Sequence, residues 1–152
     1  MQNGTRVIAD KERRKKNLHI VAASFLILNG VPALIAGAGL MLDPSGSRLG
    51  LNNSLLETSP FLNFLIPGIV LFLVNGVFSL ITLYALIRQY KLYSLLIIIQ
   101  GIILTGWITF QIMLISDPSW LQLMYGFVGI ILIVSGLKLE NLNNERGAYQ
   151  KI

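Results

Sequence analysis

Cysteine is absent from all 152 residues. Its absence excludes disulfides, thiolate metal sites, thiol redox chemistry and cysteine nucleophiles, and leaves the redox compartment open. Histidine is nearly absent too, with His19 the single one. One histidine without cysteine or carboxylate neighbours makes a poor metal site, and bis-histidine haem ligation within one chain is excluded. Charged residues make up only 12% of the chain, and they stand at the ends of long apolar runs. Proton relays, ion-coupling carboxylates and voltage sensors need ionisable groups inside a span, so none is expected. There is no phosphate-binding glycine loop, nucleophile elbow or metal-ligand spacing. The sequence therefore predicts neither a cofactor nor a catalytic constellation.

What is present is apolar. Hydrophobic residues reach 54% and the mean hydropathy is +0.68, well outside the range of a soluble domain of this size. Residues 61–87 run without a charge, and at ~1.5 Å per helical residue they span a bilayer core of ~30 Å. Three further runs, 18–41, 92–116 and 120–139, match that length or approach it. The expected fold class is all-α: a polytopic membrane protein with four transmembrane helices in an antiparallel bundle. Residues 1–17 form a basic N-terminal segment, 42–60 an outer loop, and 140–152 a polar tail expected to fray. The basic start followed by an apolar run resembles a signal peptide, and Ala36-Gly37-Ala38 offers a small-residue site. The run before that site exceeds the ~7–15 residues of a signal h-region, so it reads as a permanent span.

Turn chemistry separates the runs. Asp43-Pro44-Ser45-Gly46 combines a fixed φ, short polar side chains and a residue tolerant of positive φ. Residues 49–56 read as a short amphipathic segment on the membrane surface. Ser59-Pro60 reads as the start of the second helix, with serine capping and proline in the first turn. Pro67-Gly68, about two turns further on, predicts a kink. Arg88-Gln89-Tyr90-Lys91 makes a tight basic turn ringed by Tyr84, Tyr90 and Tyr93, as at a headgroup boundary. Asp117-Pro118-Ser119-Trp120 makes the last turn. The recurrence of Asp-Pro-Ser after spans one and three hints at a parallel duplication of two hairpins.

Counting cations orients the bundle. Of 12 lysines and arginines, 11 fall on the side of the termini and Arg48 alone on the other. Both termini are therefore expected to be cytoplasmic. The net charge of +5 and pI near 9.8 are accounted for by this signal and by attraction to anionic lipid. Nucleic acid is not an expected partner. The run 11–16 anchors the first span in this reading.

Asn29 and Asn75 lie near the middle of spans one and two, each followed by glycine. An unpaired amide in hydrocarbon costs a few kcal/mol, so both should face protein. The prediction is that the first two helices pack antiparallel with the two amides bonded to each other. The alternative is a polar cavity that reads a ligand. Small residues support close packing: Gly30, Ala33, Ala36 and Gly37 in the first helix, and Gly126, Gly129 and Ser135-Gly136 in the fourth. Such faces serve contacts within one chain or between copies. In the third helix Gln100, Trp107 and Gln111 share a stripe with Thr105 nearby, read as inward-facing. Asp43, Glu57 and Asp117 are the outer acids, and turn or capping roles account for them better than acid–base catalysis.

Several of these segments together resemble a known group. Asp43-Pro44-Ser45-Gly46, Ser59-Pro60-Phe61, Phe64-Leu65-Ile66-Pro67-Gly68 and Asn75-Gly76 are similar to a group of small four-span bacterial inner-membrane proteins. So are Trp107, Gln111 and Ser119-Trp120-Leu121-Gln122 in the second half. The resemblance covers roughly residues 18–139 and implies four spans in a bacterial inner membrane, with no established activity attached. The expected function is a non-enzymatic accessory or scaffold subunit, or a homo-oligomer, with membrane lipid, a second copy or another membrane protein as partner. The alternative is a binder or carrier of a lipid-like or small neutral molecule, held in a pocket lined by Asn29, Asn75, Gln100 and Gln111.

Overall fold

The computed structural model describes residues 2–51, 56, 59–114 and 120–149. Four long helices dominate: α1 (Gln2–Leu42), α2 (Leu65–Ile87), α3 (Tyr93–Leu114) and α4 (Trp120–Tyr149), with no strand among the described residues. Each contains a segment long and apolar enough to cross a membrane. The expected all-helical membrane bundle is therefore present.

The bundle is two tight hairpins laid side by side. α1 packs most closely on α2, and α3 on α4, with α1 against α4 and α2 against α3 closing the ring. Lipid tails are as apolar as leucine, so burying apolar surface between helices gains little; close backbone approach and dispersion must do the holding. Glycines provide that approach. A Cβ on Gly37 would lie 2.7 Å from the Phe72 backbone nitrogen and 2.8 Å from the Gly68 carbonyl oxygen. Across the other hairpin, a Cβ on Gly101 would lie 2.7 Å from the Gly129 carbonyl oxygen. Around these seams Leu26, Ile97, Leu104 and Leu132 are fully buried.

Both ends of the chain are helical, and the C-terminal one departs from expectation. α1 is 41 residues long, about 60 Å at 1.5 Å per residue, or twice the thickness of a hydrocarbon core. The basic N-terminal segment is thus a continuation of the first transmembrane helix. The tail from Glu140, expected to fray, is likewise helical to Tyr149. Each extension supplies what the other lacks. Lys11 Nζ meets Glu145 Oε2 at 2.6 Å, and Lys15 Nζ donates to Asn143 Oδ1 at 2.9 Å. Asn143 Nδ2 also donates to the Tyr93 hydroxyl at 3.0 Å, and His19 Nε2 lies 3.1 Å from that oxygen. These contacts place the ends of α1 and α4 together, at the same end of the bundle as the α2–α3 turn.

α2 begins at Leu65 rather than at residue 61. Ser59 Oγ accepts from the Phe61 amide at 3.2 Å, and Asn63 Oδ1 accepts from the Leu65 amide at 3.1 Å. The short polar side chains hold the approach to the helix in local turns. Pro67 is consequently the third helical residue, where the amide it lacks would have no intrahelical acceptor. The predicted kink has no cause there. The irregularity lies further on, where Leu71–Val77 winds as a π-helix. Such a turn inserts an extra residue and leaves a carbonyl free to bond elsewhere. α1 has a related feature at Pro32. Proline has no amide to offer the Leu28 carbonyl, and the Tyr125 hydroxyl reaches that oxygen at a long 3.5 Å.

The Asp43 turn forms as expected. Asp43 accepts from the hydroxyls of Ser45 and Ser47 and from the amides of Ser45 and Arg48. Bonds from the Ser45 hydroxyl, then the Arg48 amide and the Ser47 hydroxyl, hold its carboxyl well below the usual carboxylate range. Gly46 adopts φ +73°, and a Cβ there would lie 2.9 Å from the Phe64 ring; both backbone and space require glycine. The surface segment expected over 49–56 falls largely outside the described residues. At the opposite end, Gln89 takes φ +50° to reverse the chain, with Arg88 stacked 5.6 Å from the Tyr84 ring centroid.

Candidate functional site

Asn29 is buried at the α1–α2 seam. Its Nδ2 donates to Ser79 Oγ at 2.8 Å and to the backbone carbonyl of Asn75 at 3.3 Å. The π-helical segment accounts for the second bond, because Asn75 lies within it and an irregular turn releases carbonyls from the helical ladder. Gly30 makes room: a Cβ there would lie 3.0 Å from Ser79 Cβ.

The antiparallel packing of the first two helices is thus present, but the amide pair is not. The Asn75 side chain is fully buried, and neither its oxygen nor its nitrogen has a partner in the protein. Asn29 bonds to the backbone of residue 75 and to the serine one turn along. The sequence could not show which atom of Asn75 would be offered, since the π-helical register decides it. Ser79, i+4 from Asn75, was legible as a second acceptor and was missed.

Gln100 is also fully buried, with neither amide atom bonded to protein, and Thr82 Oγ1 shares that condition. Unpaired buried polar groups cost about 1–3 kcal/mol each. Thr105, by contrast, returns its hydroxyl to the Gly101 carbonyl at 2.8 Å, a local bond that leaves nothing exposed in the seam.

Trp107 and Gln111 lie in a different setting. They border an apolar cavity of about 130 Å³ among α1, α2, α3 and the outer loop, with Phe61, Phe64, Pro67 and Phe110 on its walls. The Phe110 ring packs 6.3 Å from Phe61 and 6.0 Å from Trp107 between centroids. Gln111 is the only side-chain amide on the lining among the described residues. The pocket envisaged from the four amides therefore does not assemble. Asn29, Asn75 and Gln100 are sealed between helices, and Gln111 alone reaches a cavity. A cavity of ~150 Å³ takes a single benzene ring, whereas sites for whole ligands run to ~300–1,000 Å³.

No group of three histidine or carboxylate side chains that could hold a metal occurs among the described residues. Of the outer acids, Asp43 is occupied by its turn, and Glu57 and Asp117 lie outside the described residues. Comparison with known proteins adds no assignment: no protein-family profile, curated protein or solved structure matches the chain.

Proposed function

We propose that this chain is a non-catalytic membrane scaffold or accessory subunit, working as a homo-oligomer or beside another membrane protein in a bacterial inner membrane. Both termini lie in the cytoplasm in this reading, following the strong bias of lysine and arginine to that side. The observation that carries it is the fate of the mid-membrane amides. Asn29, Asn75 and Gln100 are shut into helix seams, where they shape packing and meet no substrate. A contact for a neighbour is also available. Gly106 is exposed on α3, and a Cβ added there would meet nothing within 4 Å. Such a notch suits the close approach of a second helix.

Native mass spectrometry after gentle extraction tests this reading. A defined homo-oligomer, or one membrane-protein partner at fixed stoichiometry, is the expected result. A monomer holding one neutral organic molecule would overturn it and favour a second reading, in which the cavity beside Trp107 and Gln111 binds a small apolar ring. The aromatic walls of that cavity are what favour this second reading.

A further inference from the structure

The cytoplasmic-side ends of α1 and α4 enclose a groove of about 510 Å³. Its α1 wall is Arg14, Asn17 and Leu18, with Val21 beneath. The spacing i, i+3, i+4 and i+7 puts these residues on one helix face. Its α4 wall is Lys138, Asn141 and Leu142, again at i, i+3 and i+4. Along α1 the lining runs from polar Arg14 to apolar Leu18 and Val21 as the helix enters its apolar span, while on α4 Lys138 lies nearer the span than Leu142.

Charge sets its character. Of the acids at this end, Glu145 pairs with Lys11 and Glu140 accepts from the Ser94 hydroxyl, while Asp10 and Glu12 are not among the groove's lining residues. Arg14 and Lys138 form no ion pair with a described residue. Two cations thus share one groove, and like charges disfavour each other until an anion lies between them. Asn17 and Asn141 add amide donors on the same two faces, suited to phosphate and glycerol oxygens.

We propose that this groove is a binding site for one anionic phospholipid. The phosphate lies between Arg14 and Lys138, and an acyl chain descends over Leu18 and Val21. A phospholipid fits better than a soluble anion because the groove's floor is apolar and opens toward the hydrocarbon depth. The site is distinct from the general basic surface: Arg13 and Lys16 are exposed and do not line it.

The test uses the full-length protein in mixed micelles offering phosphatidylglycerol and phosphatidylcholine in equal amounts, with bound lipid counted by native mass spectrometry. The wild type should retain one phosphatidylglycerol, preferred over phosphatidylcholine by about tenfold, as two interfacial cations allow. Arg14→Gln with Lys138→Gln should abolish the preference. Arg13→Gln with Lys16→Gln removes the same charge and should preserve it. Circular dichroism confirms that both variants remain helical. Equal loss in both variants would overturn the proposal in favour of diffuse surface charge. Absence of preference in the wild type would also overturn it, as would displacement of the lipid by millimolar inorganic phosphate.

Discussion

At the residue scale, the two asparagines divide into one that bonds and one that does not. Asn29→Ala removes two hydrogen bonds and strands the Ser79 hydroxyl and the Asn75 carbonyl. Intramembrane bonds of this kind are worth about 0.6 kcal/mol on average and up to about 1.7. A loss within that range is expected in reversible unfolding in micelles. Asn75→Ala removes no bond to protein and should cost less than Asn29→Ala. Because Asn29 contacts only the backbone of residue 75, the two changes should add. An interaction energy above about 1 kcal/mol in the double variant would mean that the amides meet after all. Asp43 offers a second check. Its lowered carboxyl pKa favours the folded turn at any pH above the ordinary 3.8, and that support is lost as pH falls through the lowered value. A carboxyl-carbon NMR titration should give a midpoint below 3.8; a midpoint at or above it would mean the turn bonds are absent in solution.

At the scale of the elements, glycine position matters more than glycine count. Gly101 and Gly106 are five residues apart on α3, one against the Gly129 carbonyl and the other open. Gly101→Leu must force α3 and α4 apart and should destabilise the bundle by about 2 kcal/mol or more. Gly106→Leu should leave monomer stability unchanged within about 0.5 kcal/mol and alter oligomer size by native mass spectrometry. Equal destabilisation by both would show that Gly106 faces the chain's own core. The small-residue faces of helices one and four were legible from spacing alone. Their partners were not: helical spacing says that a face is small, but not which helix approaches it. The π-helical turn over Leu71–Val77 was likewise invisible, because Pro67-Gly68 drew attention to a kink that the late helix start makes unnecessary.

At the scale of the molecule, α1 and α4 extend together from one end of the bundle. The exposed Lys11–Glu145 pair contributes no more than about 0.5–1 kcal/mol, so the extension should persist in high salt, held by Lys15, Asn143, Tyr93 and His19 as well. The absence of cysteine makes sidedness simple to read. A single Ser45→Cys should react in intact cells with a membrane-impermeant maleimide, and a single Asn144→Cys should react only after permeabilisation. The reverse pattern would invert the proposed topology and move the lipid groove to the other leaflet.

Four apolar helices, the Asp43 turn and the inward disposition of Asn29, Asn75 and Gln100 all follow from the sequence alone. The reason is that hydrocarbon thickness, turn sterics and the cost of an unpaired amide in lipid act on short stretches of chain. The helical fate of the two tails, the atom that Asn29 bonds and the placing of Arg14 and Lys138 along one groove were decided by tertiary structure. Each depends on groups that are more than 40 residues apart in the chain, and only the packing of α1 against α2 and α4 brings them together.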